Sequence, residues 1–545
     1  MTTLPKVVFG HARERPHSPA LVSWSPRGGT HSTLSYAQLA KLLEAAQAWL
    51  RSEQLLGPHA TGARLALLGH NSASFLVHSL ACMALGGVAV HLNWRMSATT
   101  LGSQLCRLRC AALLFSPTFE AASHAAATTA ASLGHVVRTE PMPDDHRPST
   151  TLPRSRPTEE VSAPSDGARA AVIFFTSGST GEPKAIPHTH RGLLWWARSY
   201  TDALPEVFRD DADDGTSGGR EHWGSLSFAP FFHVMGFVAN TVLNLVQGAP
   251  AYVLTDASSA SASTLDARLL VAAVRELRPR CLNTVPILVE GLCALLNDGD
   301  GHQHPHHAAT ALRGLRLLTY GGAALPSHCA ATLRAHRIPT ACTYGQTETA
   351  GPVMIGEVNG DLNALRPIGG ATWKLGLASS GEGGDEGDEG GDEGGGDAGE
   401  LTLCGVGSVT LARGWVAASA EDAPPSASAA MEQAWEQGLE MPDADALPDY
   451  RTGDLFREVS IARANDNGAN SPTTIRMLRY ACRADDVLSH TSMTKTRPIW
   501  PTNRGPKRLI GRGWPKPGAA LGLILAPRGP LRTDLAELSA ALFPT

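Results

Sequence analysis

An α/β fold built from several packed units is predicted by three features of the chain. Short apolar runs alternate with amphipathic helical stretches, one such run opens directly into a glycine- and hydroxyl-rich loop, and the chain is 545 residues long. Single hydrophobic cores stop growing near roughly 250–300 residues, so at least two structural units are required. The sequence is 43% hydrophobic and 18% charged, with a mean hydropathy of −0.10, which supports packed cores and excludes disorder as a global answer.

The elements follow in order. From Leu34, the run LSYAQLAKLLEAAQAWLRS places Leu39, Leu42, Leu43, Ala46 and Leu50 at helical spacing behind Ser35, whose hydroxyl can cap the first turn. A strand, ARLALLGH (Ala63–His70), and a second helix, ASFLVHSLACMALGG, come next, and VAVHLNW and AALLFSP continue the alternation. That pattern belongs to a parallel sheet wound with helices. Thr139 to Gly167 is rich in Pro, Ser, Thr and charge and is expected to be a connector. A second α/β region starts at Ala170. Three loops are expected to interrupt it as surface excursions: an acidic one near Asp210–Arg220, a histidine-rich one near Gly301–His307, and a Gly/Asp/Glu tract from Gly381 to Glu400. The expected architecture is a large N-terminal portion of two packed α/β subdomains, a small β-rich piece around Gly399–Phe456, and a shortened α+β C-terminal remnant.

Charge and cysteine usage narrow the function classes. The net charge of −5 reflects 46 Lys plus Arg against 51 Asp plus Glu, and omitting the eight acids between Glu382 and Asp397 turns it into +3. A nearly neutral folded part lacks the basic field that nucleic-acid binding needs, so no nucleic-acid partner is expected. Nine cysteines lie scattered without a CxxC pair, which points to reduced thiols. No run reaches the roughly 18 apolar residues of a membrane span, and charges interrupt the first residues before an apolar leader can form, so a cytoplasmic protein without a transmembrane segment is expected. His302, His304, His306 and His307 read as a solvated loop rather than a metal site.

The chemistry concentrates in AVIFF followed by TSGSTGEPK. Thr176, Ser177, Gly178, Ser179, Thr180 and Gly181 precede Pro183 and Lys184. Glycines let backbone N–H groups converge, hydroxyls add donors, and a lysine supplies a mobile positive charge, a combination suited to a polyphosphate. The usual P-loop is excluded, because Glu182 and Pro183 stand between the last glycine and the lysine.

The TSGSTGEPK string resembles the phosphate loop of the adenylate-forming superfamily, which includes acyl-CoA synthetases, peptide-synthetase adenylation domains, luciferases and carboxylate-activating reductases. Four further segments resemble that family in the expected order: SFAPFFHVMGF with Pro230, Phe231, Phe232, His233 and Gly236; LRLLTYGGAALP with Gly321, Gly322 and Ala323; TYGQTET with Tyr344, Gly345, Thr347 and Glu348; and YRTGDLF with Asp454. The resemblance implies that His233 borders the acyl pocket. It places Gly321–Ala323 and Tyr344–Gly345 against the adenine, Thr347 near the α-phosphate, Glu348 on Mg²⁺ and Asp454 on the ribose. A carboxylate is chemically suited to Mg²⁺, a flat tyrosine to a purine, and an aspartate to two hydroxyl donors. The implied domains are an AMP-binding domain over 1–480, with an acidic loop at 381–399, and a shortened C-terminal subdomain over 481–545.

The implied reaction is attack of a substrate carboxylate on the α-phosphate of ATP, releasing pyrophosphate, followed by transfer of the acyl group to coenzyme A or to the phosphopantetheine of a carrier protein. Catalysis then rests on positioning and charge neutralisation. Phe231–Gly236 holds no aspartate to pair with an α-ammonium, so an acid without an α-amine is expected. Met235, Phe237 and Val238 either line an apolar acyl pocket or pack the core. Near the C-terminus the pattern departs from the family. Cys482-Arg483-Ala484-Asp485-Asp486 stands where the family has its hinge motif, with Arg483 still able to reach the ribose, and the family's terminal lysine has no counterpart. Two other readings therefore stay open: a nucleotide-binding pseudoenzyme, and the activating front of a longer carrier-linked reductase.

Overall fold

The computed structural model describes residues 2–483 except 26–29, 58–59, 144–168, 177–182, 209–223, 256–266, 298–303, 361–363, 369–371, 378–398, 405–449 and 464–472. β1 (Pro19–Ser25) and β2 (Thr30–Ser35) form an antiparallel hairpin. β3 (Arg64–Leu68), β4 (Val88–His91), β5 (Ala112–Phe115) and β6 (Arg138–Pro141) are short parallel strands. β7 (Ala170–Thr176) and β8 (Lys184–Thr189) are again antiparallel. β9 (Ser225–Ser227), β10 (Ala251–Leu254), β11 (Cys281–Thr284), β12 (Leu317–Gly321) and β13 (Thr340–Gln346) run parallel to their neighbours in this set. An antiparallel series follows: β14 (Gly351–Ile355), β15 (Ala364–Pro367), β16 (Thr372–Leu377), β17 (Gly399–Cys404), β18 (Tyr450–Arg463) and β19 (Thr473–Arg483).

Among the described residues these strands form two sheets. The smaller has six strands in the order β6-β5-β3-β4-β7-β8, and the larger has thirteen in the order β16-β17-β18-β19-β15-β14-β13-β12-β11-β9-β10-β1-β2. One apolar core is shared by both sheets and joins Leu43, Phe75, Phe174, Trp196, Phe231 and Phe237. A second core, with Leu226, Leu270, Leu292, Leu318 and Met354, belongs to the larger sheet, and a third, with Leu68, Val90, Leu105 and Ile173, to the smaller. The α/β class and the two packed subdomains match the expectation.

The helices form where their caps and apolar faces dictate. The helix Tyr36–Ser52 opens on a capping box in which Ser35 Oγ accepts from the Gln38 amide at 3.3 Å and Gln38 Oε1 accepts from the Ser35 amide at 2.8 Å. Its buried face is Tyr36, Leu39, Ala40, Leu43, Ala46 and Leu50. The helix Ala73–Ala84, capped by Ser72, is buried nearly all round and is predominantly apolar, its buried polar residues His78 and Ser79 being hydrogen-bonded.

Two details depart from the sequence reading. Thr139–Pro141, assigned to the connector, belongs to β6, because the open edge of β5 offers a ladder of hydrogen bonds that outweighs local composition. His304–His307, expected in a loop, open the helix His304–Arg313, where Pro305 sits in the first turn and an alanine-rich stretch follows. The β-rich piece expected around Gly399–Phe456 is the antiparallel series β16–β19, which β15 joins to the larger sheet. The acidic loop near 210–220, the Gly/Asp/Glu tract up to Ala398 and all of 484–545 lie outside the described residues. Among the described residues no helix is long and apolar enough to cross a membrane.

Candidate active site

The predicted phosphate loop is the connection of a β-hairpin. In the register of β7 and β8, Thr176 stands opposite Lys184, which returns the lysine to the strand end from which the loop leaves. Ser177, Gly178, Ser179, Thr180 and Gly181 lie outside the described residues. The loop's far end is anchored by Arg107, the last residue of the helix Ala98–Arg107, whose guanidinium donates to the Pro183 carbonyl at 2.7 Å.

β12 and β13 bring the next two segments side by side, with Gly321 opposite Thr343 in a parallel register. A Cβ at Gly321 would lie 2.7 Å from Thr343 Oγ1 and 2.9 Å from the Thr343 carbonyl, so only glycine permits this approach. Gly322 has φ +93° and no heavy atom within 4 Å of where its Cβ would stand, which leaves an open, Cβ-free surface at the exposed Gly322–Ala323 turn. The half-buried Tyr344 packs at the margin of the larger sheet's core, and its hydroxyl accepts from Gln346 Nε2 at 3.2 Å. At Gly345 a Cβ would meet the Gly351 carbonyl oxygen and, at 2.7 Å, Pro352 Cα, which explains the glycine by strand packing rather than by ligand approach.

Thr347, Glu348 and Thr349 form a single 3₁₀ turn packed against β7, beside the hairpin that carries the phosphate loop. The buried Thr349 fixes it: Oγ1 accepts from the Gln346 amide at 2.9 Å and places its single proton between the Gln346 and Gly351 carbonyls, 2.9 and 2.8 Å away. Ala350, fully buried, closes the turn at φ +62°, a left-handed conformation that costs a non-glycine residue about 1 kcal/mol. Trp196 supports it from below, donating from Nε1 to the Pro352 carbonyl at 2.8 Å. On β8, burial pushes the His188 imidazole down to about 4, against the opposing influence of the Thr347 backbone. A neutral ring therefore lies beside the turn at physiological pH.

The aromatic–histidine segment runs from Ala229 to Gly236. A Cβ at Gly236 would collide with the Ala229 and Pro230 carbonyls, so the segment closes on itself only with glycine there. His233 caps the short helix Val234–Gly236, its Nδ1 accepting from the Met235 amide at 3.2 Å, which leaves the proton of the neutral ring on Nε2. His233 retains accessible surface, yet protein surrounds it closely. That desolvation, and then the charge of Arg95, lower its pKa. The Arg95 guanidinium carbon lies 4.9 Å from the Trp94 ring centroid and 5.9 Å from that of Phe232, forming a cationic lip beside His233.

Asp454 and Arg483 are Cα register partners between β18 and β19, so the two predicted ribose residues share one point of the antiparallel ladder. Among the described residues no cluster of three or more His, Cys, Asp or Glu could hold a metal ion. A magnesium ion held with a nucleotide requires only one or two carboxylates besides phosphate and water, so Glu348 fits such an ion. The sequence reading overlooked Arg95, Arg107, His188, Thr349 and Trp196. Their available signal is position: Arg95 follows β4, and His188 lies in the strand that leaves the phosphate loop. A separate cavity of about 350 Å³, lined by Ser25, His31, His70, Asn71, Ser116 and Met142 among others, includes none of the predicted nucleotide residues and no charged side chain.

Residues 8–406 match the AMP-binding enzyme family. The chain is 29% identical over 293 residues to an adenylate-forming reductase of Aspergillus terreus, covering 53% of this chain and 25% of that protein. It is 26% identical to a feruloyl-CoA synthase of Amycolatopsis sp., covering 63% and 59%, and 28% identical to an indoleacetate–CoA ligase of Aromatoleum aromaticum, covering 58% and 55%. The matched regions thus span a quarter to about three fifths of these relatives' lengths. Among solved structures, the O-succinylbenzoate coenzyme A synthetase of Bacillus subtilis in complex with AMP superposes with a TM-score of 0.58 at 18% identity, covering 89% of this chain and all of that one. The N-terminal domain of FACL13 from Mycobacterium tuberculosis gives 0.59 at 20% identity, with the same coverage.

Proposed function

Because the chain belongs to the AMP-binding enzyme family, we propose that it activates a carboxylic acid with ATP. An oxygen of the acid's carboxylate bonds to the α-phosphorus, the bond to the bridging oxygen breaks, pyrophosphate leaves, and an acyl-adenylate forms. The observation that carries this reading is the placement of Gly321–Gly322, Tyr344 and the Thr347–Glu348 turn on adjoining strands, with that turn packed against the hairpin of the phosphate loop. In this reading the open face at Gly322 and the ring of Tyr344 accept the adenine. Thr176–Gly181 and Lys184 take the polyphosphate, Thr347 lies at the α-phosphate, and Asp454 and Arg483 hold the ribose. Glu348 would hold Mg²⁺, which when bound neutralises phosphate charge as pyrophosphate departs.

An acid without an α-amine is favoured by charge. Ser227–Val238 contains no carboxylate, and Arg95 stands beside His233, so a buried ammonium would meet repulsion and find no partner. The rings of Trp94 and Phe232 favour an aromatic or apolar acid, in keeping with the names of the feruloyl- and indoleacetate-activating relatives. The acceptor in the second step is a thiol, that of coenzyme A or of a carrier phosphopantetheine.

The test is ATP–pyrophosphate exchange with Mg²⁺ across aryl, fatty and amino acids. Exchange with an aryl or fatty acid, reduced at least about 100-fold in Glu348→Ala, is expected. AMP binding without exchange for any acid would mark a nucleotide-binding protein instead.

A further inference from the structure

The turn that carries His233 is held by residues of the other sheet. Asn71, in the loop after β3, grips its backbone twice: Oδ1 accepts from the Phe231 amide at 2.7 Å, and Nδ2 donates to the Ala229 carbonyl at 3.0 Å. His91, the last residue of β4, supplies a third bond from its Nδ1, 2.9 Å from the Phe231 carbonyl. Facing a carbonyl, Nδ1 must carry the proton, so Nε2 is an acceptor, and the Ser79 hydroxyl 2.8 Å away donates to it. Ser79 and His91 are fully buried and Asn71 is nearly so.

His91 also touches both halves of the site. Its ring lies edge-on to Phe237, which follows the turn, at 4.5 Å between centroids, and to Phe174, in the strand leading to the phosphate loop, at 5.3 Å. Beyond the turn the chain winds as a π-helix, Phe237–Val242, and is fixed to the larger sheet. There Asn240 Oδ1 accepts from Ser225 Oγ at 2.8 Å, and Asn283 donates to the Ala239 carbonyl at 3.2 Å. The segment 229–242 therefore belongs to the larger sheet by chain and packing, while its leading turn is bonded to the smaller one.

We propose that Asn71 and His91, with Ser79 fixing the imidazole, are positioning residues that set the Phe231–His233 turn relative to the phosphate loop and so control how the acid is presented for activation. This deepens the function proposed above and rests on it. None of the three is among the residues assigned above to the nucleotide, so the effect is expected chiefly on the acid. A buried polar bond left half-made displaces the turn or admits water, and displacement of a reacting group by about 1 Å is enough for a roughly 100-fold rate loss.

The experiment compares the full chain with His91→Leu, His91→Asn and Asn71→Asp. Asparagine places an amide where Nδ1 stood and restores the bond to Phe231, whereas leucine cannot. Asn71→Asp keeps the acceptor but removes the donor to Ala229. Using the best acid from the exchange panel, His91→Leu is expected to raise the acid KM or lower kcat by about 10- to 100-fold while the ATP KM changes less than about threefold, with His91→Asn recovering most of the loss. Hydrogen–deuterium exchange supplies a readout that needs no activity: Phe231–Gly236 amides lose protection in His91→Leu and Asn71→Asp and regain it in His91→Asn. Unchanged protection in the two damaging variants overturns the inference, as does a loss spread equally over acid and ATP. If the unmutated chain activates no acid, the proposed function fails and the exchange pattern alone judges the clamp.

Discussion

At the scale of single residues, the site depends on where side chains are missing. Gly345 and Gly322 sit within one patch but for different reasons, and alanine separates them. At Gly345 the new methyl meets backbone atoms of Gly351 and Pro352 that cannot yield, so Gly345→Ala should cost about 1–3 kcal/mol of stability by overpacking. At Gly322 there is room, and the cost of about 1 kcal/mol comes from φ +93° alone. If the open face at Gly322 receives the adenine, Gly322→Ala should weaken AMP binding by more than its effect on stability accounts for. Urea denaturation and calorimetric AMP titration of both variants check this, and equal, purely structural losses would count against the adenine assignment. Ala350 shows the converse, a left-handed alanine kept in place by burial at the end of the Thr347–Thr349 turn.

At the scale of elements, strands ending in polar side chains do most of the positioning. β4 ends in His91, while β8 carries His188 and passes directly into His190, which accepts from the Leu4 amide at 3.3 Å. Burial lowers all three, His91 to about 3 and His188 and His190 to about 4. The native state thus holds them neutral at pH values where the unfolded chain, titrating near 6.5, has already taken up protons. Stability is full above pH 6.5 and falls as pH drops toward 4, by about 1.4 kcal/mol per pH unit for each histidine. Unfolding at pH 5 should take up about 2.5–3 protons from these groups, against almost none at pH 8, measurable by calorimetry in buffers of different ionisation enthalpy. Proton uptake no larger at pH 5 than at pH 8 would show that the rings are not buried and neutral. None of this was legible in the sequence, because a single histidine in an apolar strand leaves no periodic trace and its partner lies far along the chain.

At the scale of the whole molecule, the sequence carried the class of fold through helical periodicity, as in Leu39–Leu43–Ala46–Leu50, and the proposed nucleotide side of the site through contiguous strings such as TSGSTGEPK and TYGQTET. Those strings are readable because each is contiguous in the sequence and can be matched without knowledge of the fold. The acid side was half legible: the FFHVMG run identified the turn, but Asn71 and His91, 160 and 140 residues from Phe231, emerged only when β3 and β4 were brought against it. Likewise the edge strand β6 and the continuity of β15–β19 with the larger sheet are tertiary outcomes that override local composition. Two sheets share one core around Phe174, Phe231 and Phe237, which brings the turn proposed to face the acid next to the hairpin proposed to hold the phosphates. Carboxylate activation is tested most directly by following the oxygen. With the best acid labelled with ¹⁸O in both carboxylate positions, ATP, Mg²⁺ and a thiol acceptor, attack on the α-phosphorus predicts AMP carrying one ¹⁸O atom. Unlabelled AMP, or label found in inorganic phosphate alongside ADP, would contradict carboxylate activation at this site.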